Sequence, residues 1–395
     1  MFVRDGRHAP LPPRRDFLPF GKPNFGVDEI AAVTRVLRSG WVGMGPETIM
    51  FEQELAACVK APYVVTVNSC TSALFLSLLV SGVRRGDEVI CPSLTWCSTA
   101  NAALYLGAKP VFCDIDPETL CLTPKQVRAK ITSRTKAVIA VHFGGLAIDV
   151  RALRDALPKR VSLIEDAAHA FGARFADGMP VGSSGNLTCF SFYANKNLST
   201  GEGGGIALFD RRKAERLQSL RQHALPLNAW KRFTHARALL LSNPLRELGY
   251  KMNYTDLQAA IGRVQLARRG ELDRIRLNLA LRFVDGLKAV SPLIQCQREI
   301  THPYHARHLF VVQLPLEHMR KNRDDIVLAL RKKNIGASIH YAPLHRMPLY
   351  GGRRKPARLP VTDRVAERIM TLPISASMTF DDAEDVLAQF KVVMK

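Results

Sequence analysis

Between about residue 60 and residue 210, short apolar runs alternate with segments of helical period, and this alternation constrains the fold more than any other feature. Strands buried on both faces form continuous apolar runs, whereas the helices that cover them repeat every 3.6 residues. The alternation therefore predicts an α/β fold with a mostly parallel sheet covered by helices. The predicted strands are residues 64–67, 88–91, 110–114, 137–142, 161–165, 188–192 and 205–209, and the predicted helices include 71–80, 98–106, 124–131 and 150–157.

The pattern changes in the last third of the chain, where strands and helices no longer alternate regularly. This change predicts a large domain of residues 1–275, which includes an N-terminal arm, and a smaller C-terminal α+β domain of residues 276–395. The length of 395 residues is sufficient for two such units. A long helical pattern is predicted over 255–290, followed by strands at 308–313 and 337–340 and helices at 323–332 and 381–392.

The composition limits the classes of partner. A net charge of +21 favours anionic partners, such as a phosphorylated small molecule or a nucleic acid. The basic residues are spread over many segments without a recognisable nucleic-acid-binding module, so we expect no nucleic-acid partner. No apolar run reaches the roughly 18 residues of a membrane span and no secretory signal is visible, so we expect a cytoplasmic protein. The eight cysteines contain no C-x-x-C pair, which predicts reduced thiols and no metal site.

Lys196 follows a predicted strand and precedes a glycine-rich turn in the run SFYANKNLSTGEGGG, residues 191–205. A lysine that forms a Schiff base needs a fixed stem, a partly desolvated amine and room for a flat ring. Glycines in the turn allow the backbone to approach such a ring closely. The same pattern also describes a surface lysine before a glycine turn, and the spacing alone favours that simpler interpretation.

Three further groups follow predicted strands, where the ligands of parallel sheets bind. Asp166 and His169 follow one strand, and a carboxylate there can keep a pyridinium nitrogen protonated; the alternative is a pair that caps the next helix. Thr71 and Ser72 open a helix that can bind phosphate, although the local sequence alone favours a plain N-cap. Trp96 can stack on a flat cofactor or belong to the core.

In this order, these residues resemble the DegT/DnrJ/EryC1/StrS family of sugar aminotransferases over nearly the whole chain. The most specific pieces are the run 191–205, EDAAH at 165–169, SGWV at 39–42 and GYKMNYTDLQAA at 249–260. The resemblance implies a fold-type I enzyme dependent on pyridoxal 5'-phosphate (PLP), with active sites at the interface of a homodimer. Its members transfer an amino group, commonly from glutamate, to a keto sugar on a nucleoside diphosphate.

The resemblance also implies roles for individual residues. Lys196 corresponds to the Schiff-base lysine and general acid–base, and Asp166 to the partner of the ring nitrogen. His169 falls where the family often has glutamine over the ring, and Trp96 falls at the stacking position. The phosphate-binding positions correspond to Thr71, Ser72, Ser191 and, reaching from the other subunit, Asn253. The resemblance places His340 and Tyr341 near the substrate. Independently of the resemblance, the positive charge of the chain makes Arg221, His223 and Lys251 candidates for binding the diphosphate of the substrate, and the sequence does not choose among them.

Besides His169, the chain departs from the family pattern at two further positions. Cys70 stands where many members have glycine in the phosphate turn, and Thr255 stands where some relatives carry a substrate-binding arginine. The N-x-T-D sequence from Asn253, together with Thr95 and Trp96, is closest to the 4-amino-4-deoxyarabinose branch, which favours a 4-keto sugar.

Two other functions are compatible with these motifs. One is a PLP-dependent sugar dehydratase or lyase, although the dehydratase branch replaces the lysine with histidine and Lys196 is present here. The other is a regulatory protein that binds PLP without catalysis. Product analysis separates them, because an aminotransferase adds nitrogen to the sugar, a dehydratase removes oxygen, and a binding protein does neither.

Overall fold

The computed structural model describes residues 12–225, 245–351 and 357–394. Its main element is a seven-stranded sheet with the strand order β1-β7-β6-β5-β4-β2-β3. Strands β2 to β6 run parallel, and β7 runs antiparallel to both β6 and β1. The strands are β1 (Tyr63–Val67), β2 (Glu88–Pro92), β3 (Lys109–Cys113), β4 (Thr135–Val141), β5 (Ser162–Asp166), β6 (Leu187–Ser191) and β7 (Gly204–Leu208).

Helices cover both faces of this sheet, as the continuous apolar strands require. One face packs against α3, α4 and α7 in a core that includes Leu74, Leu76 and Leu217. The other face packs against a core built around Ile90, Val138 and Leu163. The helices of this part are α1 (Val27–Ser39), α2 (Pro46–Val59), α3 (Cys70–Val80), α4 (Cys97–Leu104), α5 (Pro124–Arg128), α6 (Val150–Asp155), α7 (Arg211–Leu220) and α8 (Asp256–Ala267).

The C-terminal part has its own small antiparallel sheet, with the order β10-β9-β8. Phe283, Phe310 and Phe390 lie in its hydrophobic core. The predicted domain boundary at residue 276 falls within α9, which contributes to this core from Ile275 onward, and the division stays a prediction. The elements are α9 (Arg269–Val290), β8 (Gln295–Cys296), β9 (Phe310–Gln313), α10 (Arg323–Lys332), α11 (Pro360–Arg368), β10 (Ile369–Leu372) and α12 (Phe380–Met394).

The predicted α/β class and the seven strands of the large sheet are confirmed, with ends displaced by one or two residues. The helix predicted over 255–290 is divided into two helices, α8 and α9, because the first helix ends at Arg268 and the second begins after it. The predicted strand at 337–340 is wrong, since only Ser338 pairs there, in an isolated bridge with Thr371. Within the described residues, no helix combines the length and apolarity needed to cross a membrane. All eight cysteines are free.

Candidate active site

The candidate active site lies where the carboxyl ends of β1, β5 and β6 meet the amino end of β7. The parallel register of β5 and β6 pairs Asp166 with Cys189. Gly204, the first residue of β7, pairs with both Ser191 and Val67, the last residues of β6 and β1. This register brings the segments that follow the three strands to one edge of the sheet, as expected for a ligand site of a parallel sheet.

Lys196 lies in the loop after β6 with its side chain partly buried. Its Nζ is 3.2 Å from Nε2 of His308. Burial lowers the pKa of Lys196 to about 8, against the opposing influence of Cys70 and Asp166. A lysine with such a pKa has a substantial neutral fraction near physiological pH, which suits both nucleophilic attack and proton transfer.

Asp166 ends β5 and is buried. Thr99 Oγ1 donates to its Oδ2 at 2.7 Å, and the amide of Ala168 donates to its Oδ1 at 3.2 Å. Burial raises the pKa of Asp166, while these hydrogen bonds and the nearby Lys196 partly offset the rise. A buried carboxylate with so few partners is suited to a cationic group placed against it.

His169 is fixed by two hydrogen bonds. The amide of Gly144 donates to its Nδ1 at 3.3 Å, so the ring proton resides on Nε2, which donates to Tyr341 Oη at 3.0 Å. Burial holds the pKa of His169 well below its usual range, so the ring is neutral. Tyr341 also contacts Trp96 at 5.7 Å between ring centroids, and these rings form an aromatic wall beside Asp166.

The start of α3 provides the predicted phosphate site. The first amide groups of a helix have no acceptor within the helix. Ser69 caps one of them by accepting from the amide of Ser72 at 3.1 Å, and the Ser72 hydroxyl donates to Asn68. The Thr71 hydroxyl is 2.8 Å from that of Ser98. The turn thus presents backbone amides and hydroxyls together, which is a typical arrangement for binding a phosphate.

These residues fit a flat, phosphorylated cofactor with a cationic ring nitrogen. The indole of Trp96 is 59% exposed although it packs beside buried residues, which leaves an aromatic face available for stacking. A Cβ at Gly204 would lie 2.6 Å from the backbone of Ser69 and Cys70, so only glycine allows β7 to approach the phosphate turn so closely. Lys196 and Asp166 are electrostatically coupled, and Ser191 is buried at the same edge.

Two residues of the candidate site were not predicted from the sequence. Thr99, which holds Asp166, lies one helical turn after Thr95, and no local motif distinguishes it. His308, which contacts Lys196, lies two residues before the apolar strand β9, and a polar histidine next to this apolar strand is the sequence signal that could have identified it. His308 is also 4.6 Å from His169 between ring centroids.

The predicted substrate residues differ in their placement. His340 is buried and its Nδ1 is 2.9 Å from the Thr371 hydroxyl, while burial lowers its pKa to about 4, with the nearby Lys196 charge acting in the same direction. His223 and Lys251 are exposed on neighbouring segments that pair through Gln222. Asn253 follows Met252, whose carbonyl accepts from the amide of Asn68 at 3.0 Å, so it lies beside the phosphate turn of its own chain.

Arg221 is a correction to the predicted substrate-binding set. Its side chain is 2% exposed, and its Nη1 donates to Glu52 and, at 2.6 Å, to the carbonyl of Thr66. Glu52 also accepts from the amide of Thr66 at 2.8 Å. A guanidinium used in this way inside the protein stabilises the packing of α2 and β1 and is not available to a substrate.

Arg221→Met is therefore expected to lower the free energy of unfolding by about 3–5 kcal/mol, because Glu52 would be left as a largely buried charge without its partner. Urea unfolding measures this loss, and the KM of the folded fraction is expected to stay unchanged. His223→Ala, an exposed neighbour, is the control and should change stability by less than about 0.5 kcal/mol. A stable Arg221→Met protein with a strongly raised KM would contradict the structural role.

Among the described residues, no group of three or more His, Cys, Asp or Glu side chains is arranged to hold a metal ion.

Comparison with known proteins places this geometry in context. A sequence model of the DegT/DnrJ/EryC1/StrS aminotransferase family matches residues 23–391. The spore coat polysaccharide biosynthesis protein SpsC of Bacillus subtilis is 40% identical over 388 residues, which cover 97% of this chain and 98% of that protein.

Solved structures agree with this match. The aminotransferase TlmJ from Streptoalloteichus hindustanus superimposes with a TM-score of 0.85 and 33% identity, over 95% of this chain and 98% of that one. A putative sugar aminotransferase from Streptococcus pneumoniae, Spr1654, superimposes in its pyridoxamine 5'-phosphate (PMP) form with a TM-score of 0.87 and 29% identity. The match covers 95% of this chain and 99% of that one. Its PLP form superimposes with a TM-score of 0.86 and 28% identity, over 96% and 98%.

Proposed function

This chain belongs to the DegT/DnrJ/EryC1/StrS aminotransferase family and is a PLP-dependent aminotransferase, and we propose that it transfers an amino group from glutamate to the keto group of a nucleotide-linked sugar. The observation that carries the proposal is the partly buried Lys196, with its lowered pKa, beside the buried carboxylate of Asp166. The names of SpsC and of the solved neighbours support a sugar as the acceptor.

Each residue of the site then has a defined task. PLP, when bound, supplies an electron sink for the negative charge that develops on the reacting carbon. Lys196 Nζ would hold the cofactor and, when not bonded to it, would carry the proton at the reacting carbon of the amino donor. Asp166 would face the ring nitrogen and stabilise a positive charge there. Trp96 would cover one face of the ring, and His169 positions Tyr341 beside Trp96.

The charge of the chain supports a substrate that carries phosphate groups. The net charge is +21, and His223 and Lys251 are exposed on paired segments that lead to Asn253 and the phosphate turn. The cationic Lys251 in this position would attract the diphosphate of a nucleotide sugar, and the neighbouring His223 is placed to donate a hydrogen bond to it. The motif from Asn253 favours amination at carbon 4 of the sugar.

A homodimer forms part of the same proposal. On α1, Val27, Ile30 and Leu37 are between 57% and 79% exposed and follow helical spacing along one face. An exposed apolar helix face of this kind suits a subunit interface. Asn253 lies beside the phosphate turn of its own chain, so in such a dimer it would reach the cofactor phosphate of the other subunit where the two phosphate turns meet across the interface. The cytoplasmic location stays a prediction of the sequence.

The test is to incubate the enzyme with ¹⁵N-glutamate and a panel of keto-sugar nucleotides. We expect ¹⁵N in the sugar and one equivalent of 2-oxoglutarate for each amino sugar formed. Parallel reactions with free keto sugars that lack the nucleotide are expected to be far slower. A sugar that loses oxygen without gaining nitrogen would establish a dehydratase, and absence of any turnover with tightly bound PLP would establish a binding protein.

A further inference from the structure

The amine of Lys196 has a fixed partner outside the groups assigned so far. Its Nζ lies 3.2 Å from Nε2 of His308, a side chain that is 4% exposed. The other ring nitrogen of His308, Nδ1, is buried and has no hydrogen-bond partner among the described residues. An unpaired polar atom in the interior lowers stability, so packing alone does not account for a histidine at this position.

The backbone holds His308 in place from both sides. The amide of Ala306 donates to the carbonyl of Gly145 at 2.9 Å, and the amide of Leu309 donates to the carbonyl of Gly144 at 3.1 Å. Asn197, the residue after Lys196, donates from Nδ2 to the carbonyl of Ala306 at 2.6 Å. The lysine loop and the histidine segment are therefore joined, and the distance between their two nitrogens is set by the fold.

The direction of the hydrogen bond follows from the charges. An ammonium group has three donors and no acceptor, so a charged Lys196 can only donate to His308. His308 must then be neutral with its proton on Nδ1. Burial and the nearby charge of Lys196 hold the pKa of His308 well below its usual range, which agrees with a neutral ring.

We propose that His308 is a positioning residue for Lys196: its Nε2 accepts a hydrogen bond from the Lys196 amine whenever that amine is not bonded to the cofactor. In this role His308 gives the freed amine a defined resting position and favours its charged form. No proton passes to the histidine, and every proton stays on Nζ until it is delivered to the reacting carbon. The inference rests on the proposed function, in which Lys196 alternates between bonded and free forms.

The other described groups around the amine do not accept a hydrogen bond from it. Asp166 and Cys70 influence Lys196 electrostatically, but neither forms a described hydrogen bond with Nζ. His169 uses both ring nitrogens on Gly144 and Tyr341, and His340 uses its Nδ1 on Thr371. Within the described residues, His308 Nε2 is the hydrogen-bond partner that the structure gives to Nζ.

The experiment measures the protonation of the free amine directly. The full-length protein, freed of cofactor, is labelled briefly with acetic anhydride at a series of pH values, and acetylation of Lys196 is quantified by peptide mass spectrometry. The labelling rate follows the neutral fraction of the amine. His308→Phe removes the acceptor, and we expect the pKa of Lys196 to fall by about one unit, so that labelling below this pKa rises about tenfold.

Two more variants separate the hydrogen bond from the packing. The amide of His308→Gln reaches the place of Nε2 and should restore the wild-type pH profile, whereas His308→Asn reaches only the place of Nδ1 and should behave like His308→Phe. His305→Gln is the matched control, because His305 is a buried histidine of the same segment that bonds Gln297 and the amide of Arg307. It should leave the profile unchanged.

Identical Lys196 profiles in the wild type, His308→Phe and His308→Asn would overturn the proposal. So would a shift of equal size in His305→Gln, because it would show that any disturbance of the segment moves the pKa. These results require no sugar and no turnover. A failure of the proposed sugar reaction therefore cannot be mistaken for a failure of the inference about His308.

Discussion

Lys196→Ala is expected to lower kcat by at least about 10³-fold and to abolish the yellow absorbance band of the PLP-loaded protein. The amine of Lys196 has two tasks here, as the nucleophile that bonds the cofactor and as the group that moves a proton, and proton transfer alone contributes about 10²- to 10⁴-fold. Spectra recorded after desalting and steady-state kinetics with glutamate as donor measure the two effects separately.

The control for this variant is Lys109→Ala. Lys109 is an exposed lysine at the start of β3, outside the candidate site, and its removal should leave both the band and kcat unchanged. Retention of the yellow band by Lys196→Ala would assign the covalent bond to another lysine and would remove the basis of the proposed mechanism.

The large sheet was predictable from the sequence because its strands are buried on both faces. Such strands appear as uninterrupted apolar runs, and the polar residues that follow them are grouped at one edge of the sheet. The positions of Asp166, Trp96 and Lys196 after such strands predict that the three residues lie near one another. Local sequence alone does not distinguish a cofactor site from ordinary helix caps, whereas the order of the motifs along the chain, which resembles that of the family, favours the cofactor site.

The remaining features depend on contacts between distant parts of the chain. His308 is 112 residues from Lys196, and Thr99 is 67 residues from Asp166, so no local spacing relates them. Arg221 was expected near the substrate because it is cationic, but its environment is decided by Glu52, which is 169 residues away. Local patterns predict secondary structure well, whereas the partner of a buried polar group is set by the tertiary fold.

The buried side chains around Lys196 share one electrostatic property. His169, His308 and His340 are all held neutral, first by burial and then by the nearby positive charge of Lys196. Three residues that would otherwise be cationic at low pH thus add hydrogen-bonding groups without adding charge. In the part of the chain that the structure describes, the site therefore sets the charge of Lys196 against the buried carboxylate of Asp166, and the charge of that carboxylate becomes decisive.

Asp166→Asn tests that conclusion and is expected to lower kcat on the order of 10²- to 10³-fold, the range observed when a preorganised electrostatic partner is removed. The amide has nearly the same shape and still accepts from Thr99, so the fold should persist while the negative charge opposite the ring nitrogen is lost. Steady-state kinetics, with thermal unfolding to verify folding, measure this effect.

Thr99→Val is the matched control, because it keeps the carboxylate and removes one of its hydrogen bonds. That hydrogen bond lowers the pKa of Asp166, so its loss should raise the pKa further. A carboxylate is charged above its pKa, and activity should therefore fall at a higher pH in Thr99→Val than in the wild type as the solution is acidified, with a nearly normal kcat at alkaline pH. If Asp166→Asn retained wild-type kcat, or if the acidic limb of the Thr99→Val profile did not move, Asp166 would not be the group that holds the charge on the ring nitrogen.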